Sequence, residues 1–269
     1  MTIERFLAFS CMHVPYQDDS AVDWLLQQIE SHKPDTIVCL GDVLDAAAAS
    51  RFAGEHEHSL IDEYKQTDAI LQRIRDAAYT AKLVWCMGNH EDNLMSENRI
   101  PKDLRELTCF RNHMAQAGHW QTLEYRYNSN SCVYRIGQVA FYHGFKFGDR
   151  ANDDHCIQFG DQWGLTVMGH THRPEPVTRV RVRSGIYLKQ WFANVGTLCD
   201  FDQMRYASRR NTEQWGQGCI VGEAMQLKSP RRGRYWDAEV RIRKMAWDGE
   251  QPPQWKTMID KQEATNGSE

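Results

Sequence analysis

The sequence predicts an α/β fold with a largely parallel sheet and antiparallel strands at one side. Three observations lead to this fold class. Short apolar runs alternate with two amphipathic helical patterns early in the chain, more short apolar runs follow in the middle, and alternating hydrophobic segments come last. A strand–helix–strand–helix–strand order favours parallel pairing through right-handed crossovers. Alternation on both sides of a turn favours a hairpin.

Five short apolar segments are predicted to be buried strands. They are residues 6–9 (FLAF), 36–40 (TIVCL), 83–87 (LVWCM), 139–142 (VAFY) and 165–168 (LTVM). Each is followed by polar residues or glycine, which is typical of a buried strand that runs out into a loop. Because buried parallel strands usually have both faces covered, layers on both sides are expected.

Two helices are predicted between the first three strands. In residues 20–29 an apolar stripe recurs with helical spacing, at Val22, Leu25, Leu26 and Ile29. Residues 18–20 (DDS) offer side chains that can cap the start of this helix. Residues 60–78 carry a second stripe of the same kind.

The later part of the chain changes character. Residues 177–182 and 186–192 alternate around Ser184 and Gly185, which predicts a hairpin, and residues 219–221 and 238–242 are further candidate strands. The length suits a single domain over residues 1–248. Its motifs lie within residues 3–200, and strands and basic loops occupy 200–248. Residues 249–269 are polar and contain proline, so we expect a loose tail there.

The composition is that of an ordinary globular protein. Hydrophobic residues make up 41% and charged residues 25%, and the net charge of −4 gives no global electrostatic case for nucleic-acid binding. No run approaches the roughly 18 apolar residues of a membrane helix, and the N-terminus lacks a signal-peptide layout. Eight cysteines without a CxxC pair indicate a reduced, cytoplasmic protein. No membrane partner is expected.

Polar side chains collect directly after the five predicted strands. The segments are Cys11-Met12-His13, Gly41-Asp42-Val43-Leu44-Asp45, Gly88-Asn89-His90-Glu91, His143-Gly144 and Gly169-His170-Thr171-His172. Parallel strands deliver their C-terminal ends to one edge of the sheet, where ligand sites lie. We therefore expect these five loops to meet.

This set of side chains is typical of a metal site. Imidazole and carboxylate ligands suit Zn, Mn or Fe. They are too many for one tetrahedral ion, so two ions sharing Asp42, about 3.5–4 Å apart, would use them best. Each motif alone is more often a turn or a surface histidine. Their joint occurrence, in order and each after an apolar strand, favours the site.

These residues resemble the pattern of the calcineurin-like metallophosphoesterases, which is D-x-H, G-D-x-x-D, G-N-H-[DE], H and G-H-x-H. Here the pattern stands as Cys11-x-His13, Gly41-Asp42-x-x-Asp45, Gly88-Asn89-His90-Glu91, His143 and Gly169-His170-x-His172. Residues 194–197 (NVGT) resemble the family's Asn-Pro-Gly-Ser turn with the proline replaced. The chain is also similar to uncharacterised phosphoesterases of phage and bacteria.

The resemblance implies a four-layer α/β/β/α sandwich and a dinuclear site, with a bridging water or hydroxide that attacks phosphorus in line. By position, the first metal would be held by His13, Asp42 and His172. The second would be held by Asp42, Asn89, His143 and His170.

The resemblance also implies roles for residues around the metals. His90 would stabilise the phosphoryl oxygens or protonate the leaving oxygen, which suits a group that titrates near neutrality. Asp45 and Glu91 would orient ligands. Arg173 follows the last ligand, where it would either bind a substrate phosphate or be an exposed charge.

Cys11 stands where the family has the first aspartate, and three interpretations remain open. A thiolate ligand would bind zinc at about 2.3 Å and would favour Zn or Fe over Mg. A packed thiol would leave the first site one ligand short. A covalent nucleophile would need an activating base that the metal site makes unnecessary. The thiolate is the preferred interpretation.

Phosphodiester hydrolysis is the leading functional hypothesis, on a phosphoester substrate. The first alternative is a nuclease acting on DNA or RNA. Residues 205–210 and 228–235 are basic with aromatic neighbours, but such segments are more often solvated surface loops. The second alternative is a non-catalytic interaction scaffold on the same fold. Trp191, Trp215 and Trp236 are expected in the core.

Overall fold

The computed structural model describes residues 2–50, 58–96, 99–126, 129–156, 165–183, 186–204, 212–229 and 233–245. The predicted hairpin turn at 184–185, the basic segment 205–210, the middle of the basic segment 228–235 and the tail 249–269 lie outside these residues.

Helices and strands alternate through the first part of the chain. The strands are β1 (Thr2–Phe9), β2 (Thr36–Cys39), β3 (Lys82–Cys86), β4 (Gln121–Leu123), β5 (Tyr134–Ile136), β6 (Val139–Tyr142), β7 (Leu165–Met168), β8 (Pro176–Arg183), β9 (Ile186–Asn194), β10 (Gly218–Ser229) and β11 (Gly233–Lys244). The α-helices whose two ends lie within the described residues are α1 (Asp19–His32), α2 (Leu60–Ala77), α3 (Asn89–Met95) and α4 (Arg105–Thr108), and residues 151–156 are also helical. Short 3-10 turns lie at Ala47–Ala49, Lys102–Leu104, Phe110–Asn112, Gln116–His119 and Asn130–Cys132.

The strands form two sheets. The first has the order β11-β10-β1-β2-β3-β4 and the second the order β5-β6-β7-β9-β8. The predicted parallel pairing of β1, β2 and β3 is confirmed, as is the antiparallel pairing of β8 with β9. β6, β7 and β9 are also parallel neighbours. The five strands that precede the polar motifs are therefore in parallel register within their sheets.

The predicted strand 219–221 is too short, because β10 runs for 12 residues, which pair with β11 along their whole length and with β1 over residues 220–226. Gly222 and Glu223 interrupt the apolar run in the sequence. In the structure, a Cβ atom at Gly222 would lie only 2.5 Å from Cζ of Phe6. The glycine admits the Phe6 ring and continues the strand, which no apolar pattern could reveal.

Side chains alternate between two cores along the first sheet. Leu7, Ile37 and Trp85 pack with α1 and α2 on one face, whereas Phe6 and Val38 pack between the two sheets. A third cluster on the outer face of the second sheet includes Cys156 of the helical segment 151–156. The fold is thus an α/β/β/α sandwich.

The start of α1 agrees with the prediction from its capping residues. The Asp18 carboxylate accepts hydrogen bonds from the backbone N–H groups of Ser20 and Ala21, which satisfies two donors of the first turn. Within the described ranges, no helix is both long enough and apolar enough to cross a membrane. All eight cysteines, each of which the structure describes, are free thiols.

Candidate metal centre

The loops after β1, β2, β3, β6 and β7 meet at one place and bring seven predicted ligands together. We call these residues the ligand cluster: Cys11, His13, Asp42, Asn89, His143, His170 and His172. Most of them are buried although they are polar. Buried polar groups need partners, so the atoms that they direct toward each other determine what the cluster can bind.

The His143 ring directs one of its nitrogens into the cluster. Its Nδ1–H donates to the Leu40 carbonyl, so Nε2 faces the other ligand residues. Burial alone would lower the pKa of His143, but the charge of Asp42 outweighs it and raises the pKa. Nε2 lies 3.0 Å from Oδ2 of Asp42, 3.2 Å from Oδ1 of Asn89 and 3.0 Å from Nδ1 of His170. Two of these neighbours are oxygen atoms and the third is an imidazole nitrogen, so a metal ion that replaces the proton on Nε2 would find several ligand atoms close together.

A second close pair lies beside the first. Nε2 of His13 and Nε2 of His172 are 3.1 Å apart. Nδ1 of His13 lies 3.3 Å from Oδ1 of Asp45, which holds the ring in place from behind. Burial lowers the pKa of both histidines, so the rings are neutral, as metal ligands must be.

The spacing of these atoms fits a shared metal ion. Ligand atoms about 2.0–2.1 Å from one ion lie roughly 3.0–3.4 Å apart in octahedral or tetrahedral geometry. The contacts around His143 and between His13 and His172 fall in this range. Among the described residues, three triads have all their candidate ligand atoms within 4.8 Å of one another: Cys11 with His13 and His172, Cys11 with Asp42 and His143, and His13 with Asp42 and His90. The cluster therefore fits divalent metal.

The cluster has two halves, one around the His13–His172 pair and the other around His143. Cys11 lies between them, since it belongs to a triad in each. Its Sγ accepts a hydrogen bond from the His170 backbone N–H at 3.3 Å and lies 3.0 Å from Oγ of Ser10. Burial, followed by the charge of Asp42, raises the pKa of the thiol. A bound dication has the opposite effect on the thiol: it lowers the pKa far enough to deprotonate a coordinating sulfur.

Asp42 is ionised in this setting. Burial alone would raise the pKa of Asp42, but the surrounding histidines, with His143 first, hold it well below its usual range. The carboxylate contacts His143 through Oδ2 and accepts the His90 backbone N–H through Oδ1 at 3.0 Å. Because Asp42 also belongs to one candidate triad with His143 and to another with His13, a single carboxylate reaches both halves of the cluster.

Backbone strain is concentrated in the ligand cluster. Five of its non-glycine residues have left-handed φ values: Cys11 (56°), His13 (49°), Asp42 (51°), His170 (67°) and His172 (60°). Such a conformation costs roughly 1–2 kcal/mol for each side-chain-bearing residue. Strain of this kind persists where surrounding bonds over-determine it and is characteristic of functional sites.

Glu91 makes several of the hydrogen bonds that hold this strained backbone in place. Its buried carboxylate accepts four backbone N–H groups, from Asp42 (2.9 Å), Val43 (2.6 Å), Leu44 (3.2 Å) and Gly88 (2.7 Å). It thereby joins the loop after β2 to the start of α3. A Cβ atom at Gly88 would lie 2.1 Å from Oδ1 of Asp42, so only glycine allows these loops to approach.

His90 lines the cleft above the cluster and keeps 17% of its side chain exposed. Its Nδ1–H donates to the Asp45 carbonyl at 2.6 Å. Burial alone would lower the pKa of His90, but the charges of Asp42 and Asp45 outweigh it and raise the pKa. A histidine that carries its proton near neutrality is suited to act as an acid.

Residues 194–197 hold two loops of the cluster in place through hydrogen bonds. The Asn194 amide donates to the Gly169 carbonyl at 2.6 Å and to Oγ1 of Thr171 at 2.9 Å. Oγ1 of Thr197 donates to the Cys11 carbonyl at 2.6 Å. These bonds hold two of the strained loops, although neither side chain reaches the ligand atoms.

Trp215 departs from the sequence-based expectation, and Arg173 makes contacts that the sequence did not predict. Trp215, expected in the core, lies half-buried in the cleft wall with its ring 4.2 Å from that of His172; the core prediction is wrong, whereas Trp191 and Trp236 do pack against the inter-sheet core. Arg173 donates to the backbone carbonyls of Gly148 and Asp149. Sequence spacing could not reveal this contact.

The cluster forms the floor of an open cleft of about 560 Å³. Lys146, Phe147 and Asp149 form one wall, and Gln214 and Trp215 form the other. The volume is in the range of sites for small organic molecules. Phe147 was missed by the sequence reasoning, because only its distance of four residues from His143 hints at a place in the site.

Three solved structures are similar to this chain at low sequence identity. Vacuolar protein sorting 29 of Cryptosporidium parvum has 15% sequence identity and a TM-score of 0.40 over 91% of this chain and 100% of that one. Yfce, a phosphoesterase from E. coli, has 14% sequence identity and a TM-score of 0.36 over 86% of this chain and 96% of that one. The nuclease MPE of Pseudomonas putida has 12% sequence identity and a TM-score of 0.37 over 80% of this chain and 82% of that one. At these values the similarities carry no functional inference.

No curated protein sequence matches the chain. Residues 4–174 match the family described as calcineurin-like phosphoesterase. The matched range covers well over half of the 269 residues and contains every residue of the ligand cluster. The chain belongs to the calcineurin-like phosphoesterase family.

Proposed function

We propose that the protein is a metal-dependent phosphoesterase that hydrolyses phosphodiesters at the ligand cluster. The observation that carries this proposal is the set of candidate ligand atoms 3.0–3.2 Å from Nε2 of His143, which a shared cation could bind together. Two divalent transition-metal ions account for the number of ligands. One would be held by Cys11, His13, Asp42 and His172, and the other by Asp42, Asn89, His143 and His170.

When bound, the metals supply Lewis acidity toward the phosphoryl oxygens and lower the pKa of water. The chain's own residues prepare the site for this chemistry. Asp45 holds His13 so that Nε2 faces the cluster, and the Leu40 carbonyl does the same for His143. Such outer contacts fix the tautomer and direction of a ligand.

His90 is the residue best placed to handle a proton. With Nδ1–H held by the Asp45 carbonyl, the Nε2 side of the ring serves the substrate in the cleft. We assign it the protonation of the leaving oxygen. Its raised pKa keeps the proton available near neutral pH.

Cys11 enters the site as a thiolate ligand in this proposal. It shares a triad with His13 and His172 and another with Asp42 and His143. The His170 backbone N–H is already directed at Sγ, as it would be toward an anion. A soft sulfur ligand shifts metal preference toward Zn or Fe and away from Mg.

The proposal is tested with metal-free protein to which Mn, Zn or Fe is returned separately. Hydrolysis of bis(p-nitrophenyl) phosphate is expected with at least one of these metals and should vanish when a chelator is added. A phosphomonoester measured in parallel should react more slowly. Absence of turnover on both ester types with every metal would show that the protein is not a phosphoesterase.

A further inference from the structure

Two aromatic rings stand on opposite sides of the metal centre. The Phe147 ring lies 4.6 Å from the His170 ring, and the Trp215 ring lies 4.2 Å from the His172 ring. Each aromatic therefore contacts a different ligand histidine, and the two belong to different halves of the ligand cluster. A phosphate held at the cluster would leave its substituents directed toward these rings.

Phe147 is unusually exposed for an aromatic side chain. Its exposure is 79%, and it lies in the loop that follows His143. A single exposed apolar residue on an open surface needs no explanation. This one lines a polar cleft beside a proposed catalytic centre, where an exposed ring offers a flat apolar face to a bound molecule.

The Phe147 loop is held rigidly from the opposite wall. Arg173 donates through Nη2 to the Gly148 carbonyl at 2.7 Å and through Nη1 to the Asp149 carbonyl at 3.0 Å. The same Nη1 donates to Oε1 of Gln214 at 3.1 Å, next to Trp215. One guanidinium thus ties the loop that carries Phe147 to the segment that carries Trp215.

A buried histidine fixes the other end of the loop. Nε2 of His155 accepts the Phe145 backbone N–H at 3.1 Å, and its Nδ1–H donates to the Ala151 carbonyl at 2.7 Å. Burial lowers the pKa of His155 to about 4, so the ring stays neutral and can accept this bond. The backbone on both sides of Phe147 is therefore held in place without a ligand, which reduces the entropy that the loop loses on binding.

We propose that Phe147 and Trp215 form a subsite for the nucleobase of a nucleotide whose phosphate lies at the ligand cluster. This inference rests on the proposed function and assigns its substrate class as nucleoside phosphoesters. Stacking on an aromatic ring suits any base, because every base has a π-face. Lys146, beside Phe147, also lines the cleft; its Nζ lies 3.9 Å from Oδ2 of Asp154 and adds a positive charge to the side of the cleft that carries Phe147.

The test compares AMP with ribose 5-phosphate, which carry the same sugar and phosphate but differ by the base. Binding is measured by calorimetry on the full-length, metal-loaded protein. Wild type is expected to bind AMP about 10-fold more tightly, which is the size of one base–aromatic stack. Phe147→Ala should bring the two affinities together, and Phe147→Tyr should restore the difference.

Tyr79→Ala is the matched control, because Tyr79 is an equally exposed aromatic (80%) that does not line the cleft. It should leave the preference for AMP unchanged. Equal affinities for the two ligands in wild type, or a preference that survives Phe147→Ala, would overturn the proposal. A base preference without hydrolysis of any ester would count against the proposed function alone.

Two sources of the base are separated by kinetics on a dinucleoside monophosphate and on a single-stranded oligonucleotide. The faster substrate identifies a small nucleotide or a nucleic-acid strand as the source. With that substrate, Phe147→Ala should raise KM about 10-fold while kcat changes little. An unchanged KM would contradict the subsite.

Discussion

Asp42→Asn is expected to lower diesterase activity by more than about 100-fold and to reduce the metal content of the protein. Asp42 contacts His143 through one oxygen and the His90 backbone through the other, and it belongs to candidate metal triads in both halves of the cluster. An amide removes the negative charge that these positions share. Loss of a mere outer contact already costs 10- to 100-fold, so loss of a shared ligand should cost more.

The matched control is Asp149→Asn, which makes the same change of charge in the wall of the same cleft. Only the backbone carbonyl of Asp149 is used by Arg173, so this variant should keep its metal and its activity. Metal content and initial rates measured on both variants separate a ligand from a general effect of charge. Equal losses in the two variants would show that Asp42 acts only through its charge.

Glu91→Gln is expected to lower stability by roughly 3 kcal/mol, because a carboxamide presents an NH₂ group to N–H donors that now have carboxylate acceptors. The carboxylate accepts four backbone N–H groups from the loop after β2 and the start of α3. For a chain of this size that corresponds to a decrease in Tm of about 6–12 °C. Metal affinity should fall as well, because the backbone of Asp42 loses its anchor.

Glu106→Gln is the control for this variant, since Glu106 is exposed on α4. Its Tm should stay within about 1 °C of wild type, as surface substitutions usually do. Thermal unfolding of both variants, with and without added metal, gives the comparison. A Glu91→Gln protein as stable as the control would mean that the four hydrogen bonds do not hold the loops.

Much of the site could be predicted because its residues follow strands. A buried parallel strand is visible as a short apolar run, and topology brings the residues after such runs to one edge. Asp42 and His143 were placed in this way, without any knowledge of distances. The family resemblance then supplied the roles of Asp45 and Glu91, and the structure gives those roles their physical content as a carboxylate behind His13 and an acceptor for four N–H groups.

The remaining features depend on contacts that no local pattern encodes. Arg173 uses its donors on carbonyls of a loop 24–25 residues earlier in the sequence. Trp215 resembles a core tryptophan in the sequence but lies against a ligand histidine. The left-handed backbone at Cys11 and His13 is imposed by hydrogen bonds from distant loops, among them Thr197 to the Cys11 carbonyl.

The central claim is that the ligand cluster holds two metal ions and that Cys11 is one of their ligands. Optical titration of the metal-free protein with Co²⁺ tests both parts in one measurement. Visible cobalt bands report the number of ions bound, and a near-ultraviolet charge-transfer band reports a thiolate ligand. Cys199→Ser is the control, because Cys199 is another buried cysteine, bonded to Thr197, outside the proposed ligand set.

Wild type and Cys199→Ser are expected to saturate at two Co²⁺ ions per chain, with a charge-transfer band that Cys11→Ser lacks. Cobalt bands without the charge-transfer band in wild type, or a band that persists in Cys11→Ser, would remove Cys11 from the ligand set. Failure of the wild-type protein to bind Co²⁺ at all would contradict the metal centre and the phosphoesterase activity proposed for it.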